Sequence, residues 1–95
     1  MNKYEVALII SPVLSDEEKN AVGENVKGYI ERRGGTVTNV DDWGKRRLAY
    51  EINKQTEGTY CFIYVDAEPT MSVALEQDLR IMENLLHYLI IRVDE

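Results

Sequence analysis

The chain has 95 residues, 44% of them apolar and 29% charged, and a formal net charge of −6. A chain of that length makes one domain burying roughly 60–65% of the surface its unfolded form exposes, too little for a large internal active site, and its apolar content excludes a disordered polymer. The acidic balance argues against a stand-alone nucleic-acid binder, because affinity for phosphates grows with the lysines and arginines that displace counterions. Any such contact must be local or shared with a basic protein. No apolar run approaches the roughly 20 residues that span a bilayer, and Met1-Asn-Lys-Tyr-Glu5 opens as a strand rather than a signal peptide. The expectation is a soluble, cytoplasmic chain with no membrane partner. Cys61 has no second cysteine to pair with and no histidine companion at zinc spacing, so it reads as a small buried hydrophobe.

Residues 3–10 form a first strand whose second half is continuously apolar, the mark of a central strand, and Ser11-Pro12 ends it. Ser15-Asp-Glu-Glu18 is a capping-box pattern that starts a helix. Its buried stripe is Val22, Val26, Tyr29 and Ile30, and Arg32-Arg33 followed by Gly34-Gly35 closes it. Gly23 and Gly28 cost roughly 1 kcal/mol each against alanine, which suits a helix lying close to the sheet. A second strand starts over 36–43. Val37 and Val40 are three apart, which pure alternation cannot place on one face, so a bulge is expected near Asn39 or Asp41.

The strand resumes through Leu48-Ala-Tyr-Glu-Ile52, and Asn53-Lys-Gln-Thr-Glu-Gly58 reads as a polar, glycine-ended turn into a third strand reaching Ala67. A second helix starts after Glu68-Pro69, with Thr70 as cap, Val73 or Ser72, Leu75, Leu79 and Met82 inward, and Glu76, Asp78 and Arg80 outward. Residues 85–93 form the last strand.

The order β-α-β-β-α-β is the split βαβ, or ferredoxin-like, α+β fold, a four-stranded antiparallel sheet. Right-handed crossovers give strand order 4-1-3-2 with both helices on one face. Alternation then sends Val6, Leu8, Cys61, Ile63, Val65, Tyr88 and Ile90 toward the helices. Ala7, Ile9, Tyr60, Phe62, Tyr64, Leu89 and Ile91 fall on the bare face. An apolar patch of that extent is a partner site or a dimer interface. Just upstream, Lys45-Arg46-Arg47 gathers three consecutive cations, of which alternation sends Arg46 to the opposite face from its neighbours. Trp43 reads as a packing residue at the bulge and His87 as a surface strand residue. There is no glycine-rich phosphate loop, no histidine–carboxylate pair at metal spacing and no nucleophile beside a base, so neither an enzyme nor a cofactor nor a small-molecule substrate is expected.

Tyr4-Glu5, Pro12, the run from Gly44 through Arg46-Arg47-Leu48-Ala49-Tyr50 to Lys54, Gly58 with Tyr60, and Leu79-Arg-Ile-Met-Glu-Asn84 resemble the bacterial small-subunit ribosomal protein six family along nearly the whole chain. The resemblance implies a ferredoxin-like structural constituent of the small ribosomal subunit. It further implies a heterodimer with ribosomal protein eighteen, a small basic protein, the pair binding the central domain of small-subunit ribosomal RNA. Carried over, the RNA-side positions are Lys3, Lys45, Arg46, Arg47 and Arg80, neutralising phosphates rather than reading bases. The partner side is Ile9, Tyr60, Phe62, Tyr64, Leu89 and Ile91. Where some members carry a further basic residue at the start of the last strand, this chain has Leu86 and His87. A second reading is a small ferredoxin-like homodimeric regulatory or ligand-binding module that uses the open face to pair with itself.

Overall fold

The computed structural model describes residues 2–52 and 54–93. Its elements are β1 (Asn2–Ile10), α1 (Asp16–Arg32), β2 (Thr36–Ile52), β3 (Gln55–Ala67), α2 (Pro69–Arg80) and β4 (Leu85–Val93). The strands pair antiparallel in the order β2-β3-β1-β4, which is the expected order read from the other edge. One core joins the inward sides of β1 and β3, at Val6, Leu8, Ile63 and Val65, to Val22, Val26 and Ile30 of α1 and to Met71, Leu75 and Leu79 of α2.

The Ser15 cap forms as its sequence requires. Its Oγ accepts from the Glu18 amide at 3.2 Å and its own amide donates to Glu18 Oε1 at 3.1 Å. At the other end Gly34 takes the left-handed conformation, φ +87°, that stops the helix. Gly35 then passes so close beneath α1 that an added Cβ would lie 2.7 Å from Ile30 Cγ2 and 2.9 Å from Val65 Cγ1. The Arg33 guanidinium donates two bonds to Asp78, at 3.1 and 3.0 Å, clamping the end of α1 to α2 and raising the Arg33 pKa.

Four sequence expectations change. Gly23 and Gly28 are not the close approach, since nothing lies within 4 Å of a Cβ built on either. Glu68, not Thr70, precedes the first turn of α2. Pro69 occupies the first helical position, where its missing N–H forfeits no helical bond, and this moves the start back by two residues. Met71, four residues before Leu75, joins the buried stripe, Val73 is 63% exposed, and Asp78, three residues after Leu75, turns in to meet Arg33. Finally β3 begins at Gln55, whose partner is Ile52, so residues 55–58 extend the strand rather than belonging to the turn. Lys54 carries a positive φ of 66° beside this connection, and Asn53 lies outside the described residues.

The expected bulge is present, and β2 shifts register more than once. Thr38 is the extra residue between Val37↔Val65 and Asn39↔Tyr64, which returns Val40 to the helix side opposite Ile63. Its hydroxyl donates to the Tyr64 carbonyl at 3.2 Å. Trp43 is the extra residue of a second shift, followed by Gly44 at φ +72°, whose amide donates to Asp42 Oδ1 at 2.9 Å.

The glycines supply a test by urea denaturation. Gly23→Ala is expected to raise stability by about 0.5–1 kcal/mol, the helix-propensity gain in open space. Gly35→Ala is expected to lower it by more than about 1 kcal/mol, because Ile30 and Val65 must shift. Destabilisation by Gly23→Ala would mean that α1 lies nearer the sheet than described.

Candidate functional site

The face opposite the helices carries the residues that alternation assigns to it. Ala7 stands between Phe62 and Leu89, Ile9 opposite Tyr60, and Glu5 between Tyr64 and Ile91. The helix-side residues Val6, Leu8, Ile63 and Val65 are at most 1% exposed, whereas Leu89 and Ile91 are 51% and 41% exposed. Tyr60, Phe62 and Tyr64 are half-buried, and Ala7, Ile9, Tyr60, Phe62, His87 and Leu89 line a shallow depression of about 170 Å³.

Two residues outside the expected partner set complete this face. The bulge at Trp43 swings its indole over Phe62, with ring centroids 4.7 Å apart, and Tyr60 meets Phe62 edge-on at 6.5 Å. The indole Nε1 donates to Asp41 Oδ2 at 2.8 Å, so the ring has an apolar body on the sheet and a polar handle at its edge. Leu48 folds back and is only 8% exposed. Gly58 makes room for it, since a Cβ there would fall 2.5 Å from Ile9 Cγ2 and 3.4 Å from Leu48 Cδ2. The glycine in the hairpin is therefore a packing requirement of the open face.

β1 pairs with β3 only as far as Ile10↔Thr59, and beyond that point β2 and β3 run on together as a two-stranded arm. The arm carries Lys45, Arg46, Arg47 and Lys54, all exposed. Arg46 stands opposite Gly58 on the open-face side, while Lys45 and Arg47 stand opposite Thr59 and Glu57 on the other. Among the described residues none of these four cations has an ion-pair partner. Several cations elsewhere are engaged: Lys27 with Glu24 at 3.2 Å, Arg33 with Asp78 at 3.0 Å, and Arg32 over the Tyr29 ring at 5.5 Å.

The structure brings Lys45, Arg46 and Arg47 together and leaves the other two expected basic positions apart from them. Lys3 pairs with Asp66, seven residues along β3 from the Lys45↔Thr59 pair, so at ~3.3 Å per residue it lies roughly 23 Å away. Arg80 ends α2, over the β4 edge. Its pKa is raised by a hydrogen bond and charge interaction with Tyr88 and by Glu76, whose Oε1 lies 3.4 Å from the guanidinium. Lys54 was not among the expected positions, and only its place beside a tight hairpin connection marks it.

Between α1 and the β2–β3 ladder a groove of about 310 Å³ is lined by residues including Gly23, Lys27, Asp42 and Cys61. Thr59 borders it with a buried hydroxyl that has no hydrogen-bond partner among the described residues. Burial first, then Asp42, pushes the Cys61 thiol pKa up, so the thiol stays protonated and inert. No three His, Cys, Asp or Glu side chains gather to hold a metal among the described residues, and no helix there is long and apolar enough to cross a membrane.

A ferredoxin-like domain with an open aromatic sheet face and a cationic β-ribbon belongs to the class of small macromolecular interaction modules. The family model described as Ribosomal protein S6 matches residues 3–92. Small ribosomal subunit protein bS6 of Caldanaerobacter subterraneus subsp. tengcongensis is 44% identical over 95 residues, the whole of both chains. That of Clostridium kluyveri is 44% identical over 92 residues, 97% of each. The crystal structure of 30S ribosomal protein S6 from Thermotoga maritima superposes with a TM-score of 0.93 at 33% identity, covering 97% of this chain and 87% of that one. The chain belongs to the ribosomal protein S6 family, and is thus a structural, non-enzymatic constituent of the small subunit of the cytoplasmic ribosome. Family membership decides against the homodimeric regulatory reading.

On the open face, partial burial and the facing Glu5 carboxylate raise the Tyr64 pKa above its ordinary value, with Asp41 adding to the effect. The neutral phenol is favoured in the folded state, so this contribution to stability is lost as pH rises beyond the ordinary tyrosine range. Glu5→Gln is expected to lower the Tyr64 pKa in an NMR titration of the ring resonances. An unchanged value would remove Glu5 as a cause.

Proposed function

We propose that the chain binds small-subunit ribosomal RNA as half of a heterodimer with ribosomal protein eighteen, the open sheet face taking the protein and the basic arm taking phosphate. The observation that carries this reading is the segregation of the two surfaces. Apolar side chains with no helix to cover them lie on the sheet, at Ile9, Tyr60, Phe62, Tyr64, Leu89 and Ile91, with Trp43 and Leu48 added to them. A cluster of four cations with no ion-pair partner among the described residues lies on the arm, at Lys45, Arg46, Arg47 and Lys54. A net charge of −6 repels phosphate at long range, and a basic partner on the apolar face would reverse the local field. Lys3 and Arg80 belong to the proposal as peripheral contacts, because their distance from the arm requires a footprint that wraps the domain. The central domain of the RNA is the target that the family resemblance implies.

The test is filter binding of central-domain RNA by this protein, by ribosomal protein eighteen and by the mixture across a salt series. Only the mixture is expected to bind tightly. The double variant Arg46→Ala/Arg47→Ala is expected to flatten the log–log salt slope by up to about 2, roughly 0.9 for each lost phosphate contact. Phe62→Asp is expected to weaken the heterodimer by more than about 2 kcal/mol, through an uncompensated charge at the centre of the face. A mixture that binds no better than its parts would refute the reading.

A further inference from the structure

We propose that Tyr50 is a stacking site for an unstacked nucleobase, an inference that rests on the RNA-binding reading above. Tyr50 is 70% exposed, the most exposed phenylalanine, tyrosine or tryptophan side chain among the described residues. Tyr4, Tyr29, Tyr60, Tyr64 and Tyr88 are all buried or half-buried. The aromatic contacts of the open face run through Trp43, Phe62 and Tyr60 and do not reach Tyr50.

The backbone accounts for this presentation. Arg47 pairs with Glu57 and Ile52 with Gln55, so Leu48–Glu51 on β2 are opposed by Thr56 alone. Four residues against one cannot keep a flat ladder. Leu48 takes up part of the slack by turning inward toward Ile9 over Gly58, and Ala49, Tyr50 and Glu51 are left outside. An exposed phenol ring thus stands on a strand that is anchored in the face two residues earlier, at Leu48.

The charges around it select the partner. Lys45, Arg46, Arg47 and Lys54 are the cations of the same arm, with no ion-pair partner among the described residues, and Glu51 and Glu57 are its carboxylates, leaving the arm positive in an acidic chain. A ring beside backbone-neutralising cations is the chemistry of single-strand recognition, in which a base stacks while its phosphates are held alongside. Aromatic anchors of protein interfaces instead sit at the centre of a desolvated patch, where Phe62 lies and Tyr50 does not. A base inside a continuous helix offers no free face, so the ligand is a nucleotide of a loop, bulge or junction.

The experiment uses the heterodimer with central-domain RNA and compares wild type, Tyr50→Leu and Tyr50→Phe across the same salt series, with heterodimer affinity measured separately in the absence of RNA. Tyr50→Leu is expected to weaken RNA binding roughly tenfold, the loss of one base–aromatic stack, with the salt slope unchanged. Tyr50→Phe is expected to retain wild-type binding, and neither variant is expected to change heterodimer affinity. Wild-type RNA affinity in Tyr50→Leu, or a loss of heterodimer affinity without RNA, would overturn the stacking site and leave the RNA-binding reading standing. Failure of the wild-type heterodimer to bind RNA would overturn both.

Discussion

Two helices lie over a four-stranded sheet on one side only, and much of the molecule follows from that imbalance. β1 and β3 are central and apolar on both faces. Their helix-side residues, from Val6 and Leu8 to Ile63 and Val65, are sealed, but Ala7, Ile9, Tyr60 and Phe62 have no second helical layer to meet. At about 25 cal/mol per Å² of apolar surface, a face of this kind is a standing incentive to associate. The chain reduces the exposure from within. Trp43 leans over Phe62, Leu48 folds toward Ile9, and Glu5 and Asp41 keep the margin polar. The remaining apolar surface, richest toward Leu89 and Ile91, is what a protein partner would remove from water.

Charge is divided as sharply as apolar surface. The acidic first turn of α1, Asp16-Glu17-Glu18, is accounted for by the helix dipole, and Asp41 and Asp42 by the indole and the Gly44 amide they accept from. Two groups of cations stand out. Arg33 ties the helices together, and Lys27 and Arg80 reach carboxylates of their own helices. Those of the arm have no such duty. Surface ion pairs contribute little stability, so the significance of unpaired arginines lies in what they leave available rather than in stability forgone.

Features decided within a few residues of one another were legible in the sequence. The capping box at Ser15, the Gly34 stop, the bulge demanded by Val37 and Val40 and the alternation that sorts β1, β3 and β4 into two faces all appear where they were read. The misreadings share a different cause, because they depend on what a distant segment does. Gly23 and Gly28 look like close-approach glycines until α1 is seen to keep clear of them, whereas Gly35 and Gly58 are the crowded ones because Val65, Leu48 and Ile9 arrive from elsewhere. Thr70 resembles a cap, but Pro69 takes the first helical position, and Asp78 turns inward because Arg33 arrives from α1 to meet it. Of the candidate site, the apolar half and the three adjacent cations were readable. Trp43 and Leu48 were not readable as parts of the face, since both enter it through irregularities of β2.

Those irregularities also connect the two surfaces. A strand of 17 residues at a sheet edge, left regular, would present a long unpaired ladder to any other chain. Register shifts at Thr38, at Trp43 and between Arg47 and Ile52 break it and increase its twist. The second shift places an aromatic ring on the open face, and the third draws Leu48 onto the same face from within the basic arm. The arm is therefore anchored at Gly58 to the surface that a protein partner would cover. A partner seated on that surface would lie against the root of the arm, beside the cations whose charge it is proposed to supplement. In that arrangement the proposed protein and phosphate surfaces would meet at one leucine packed over one glycine.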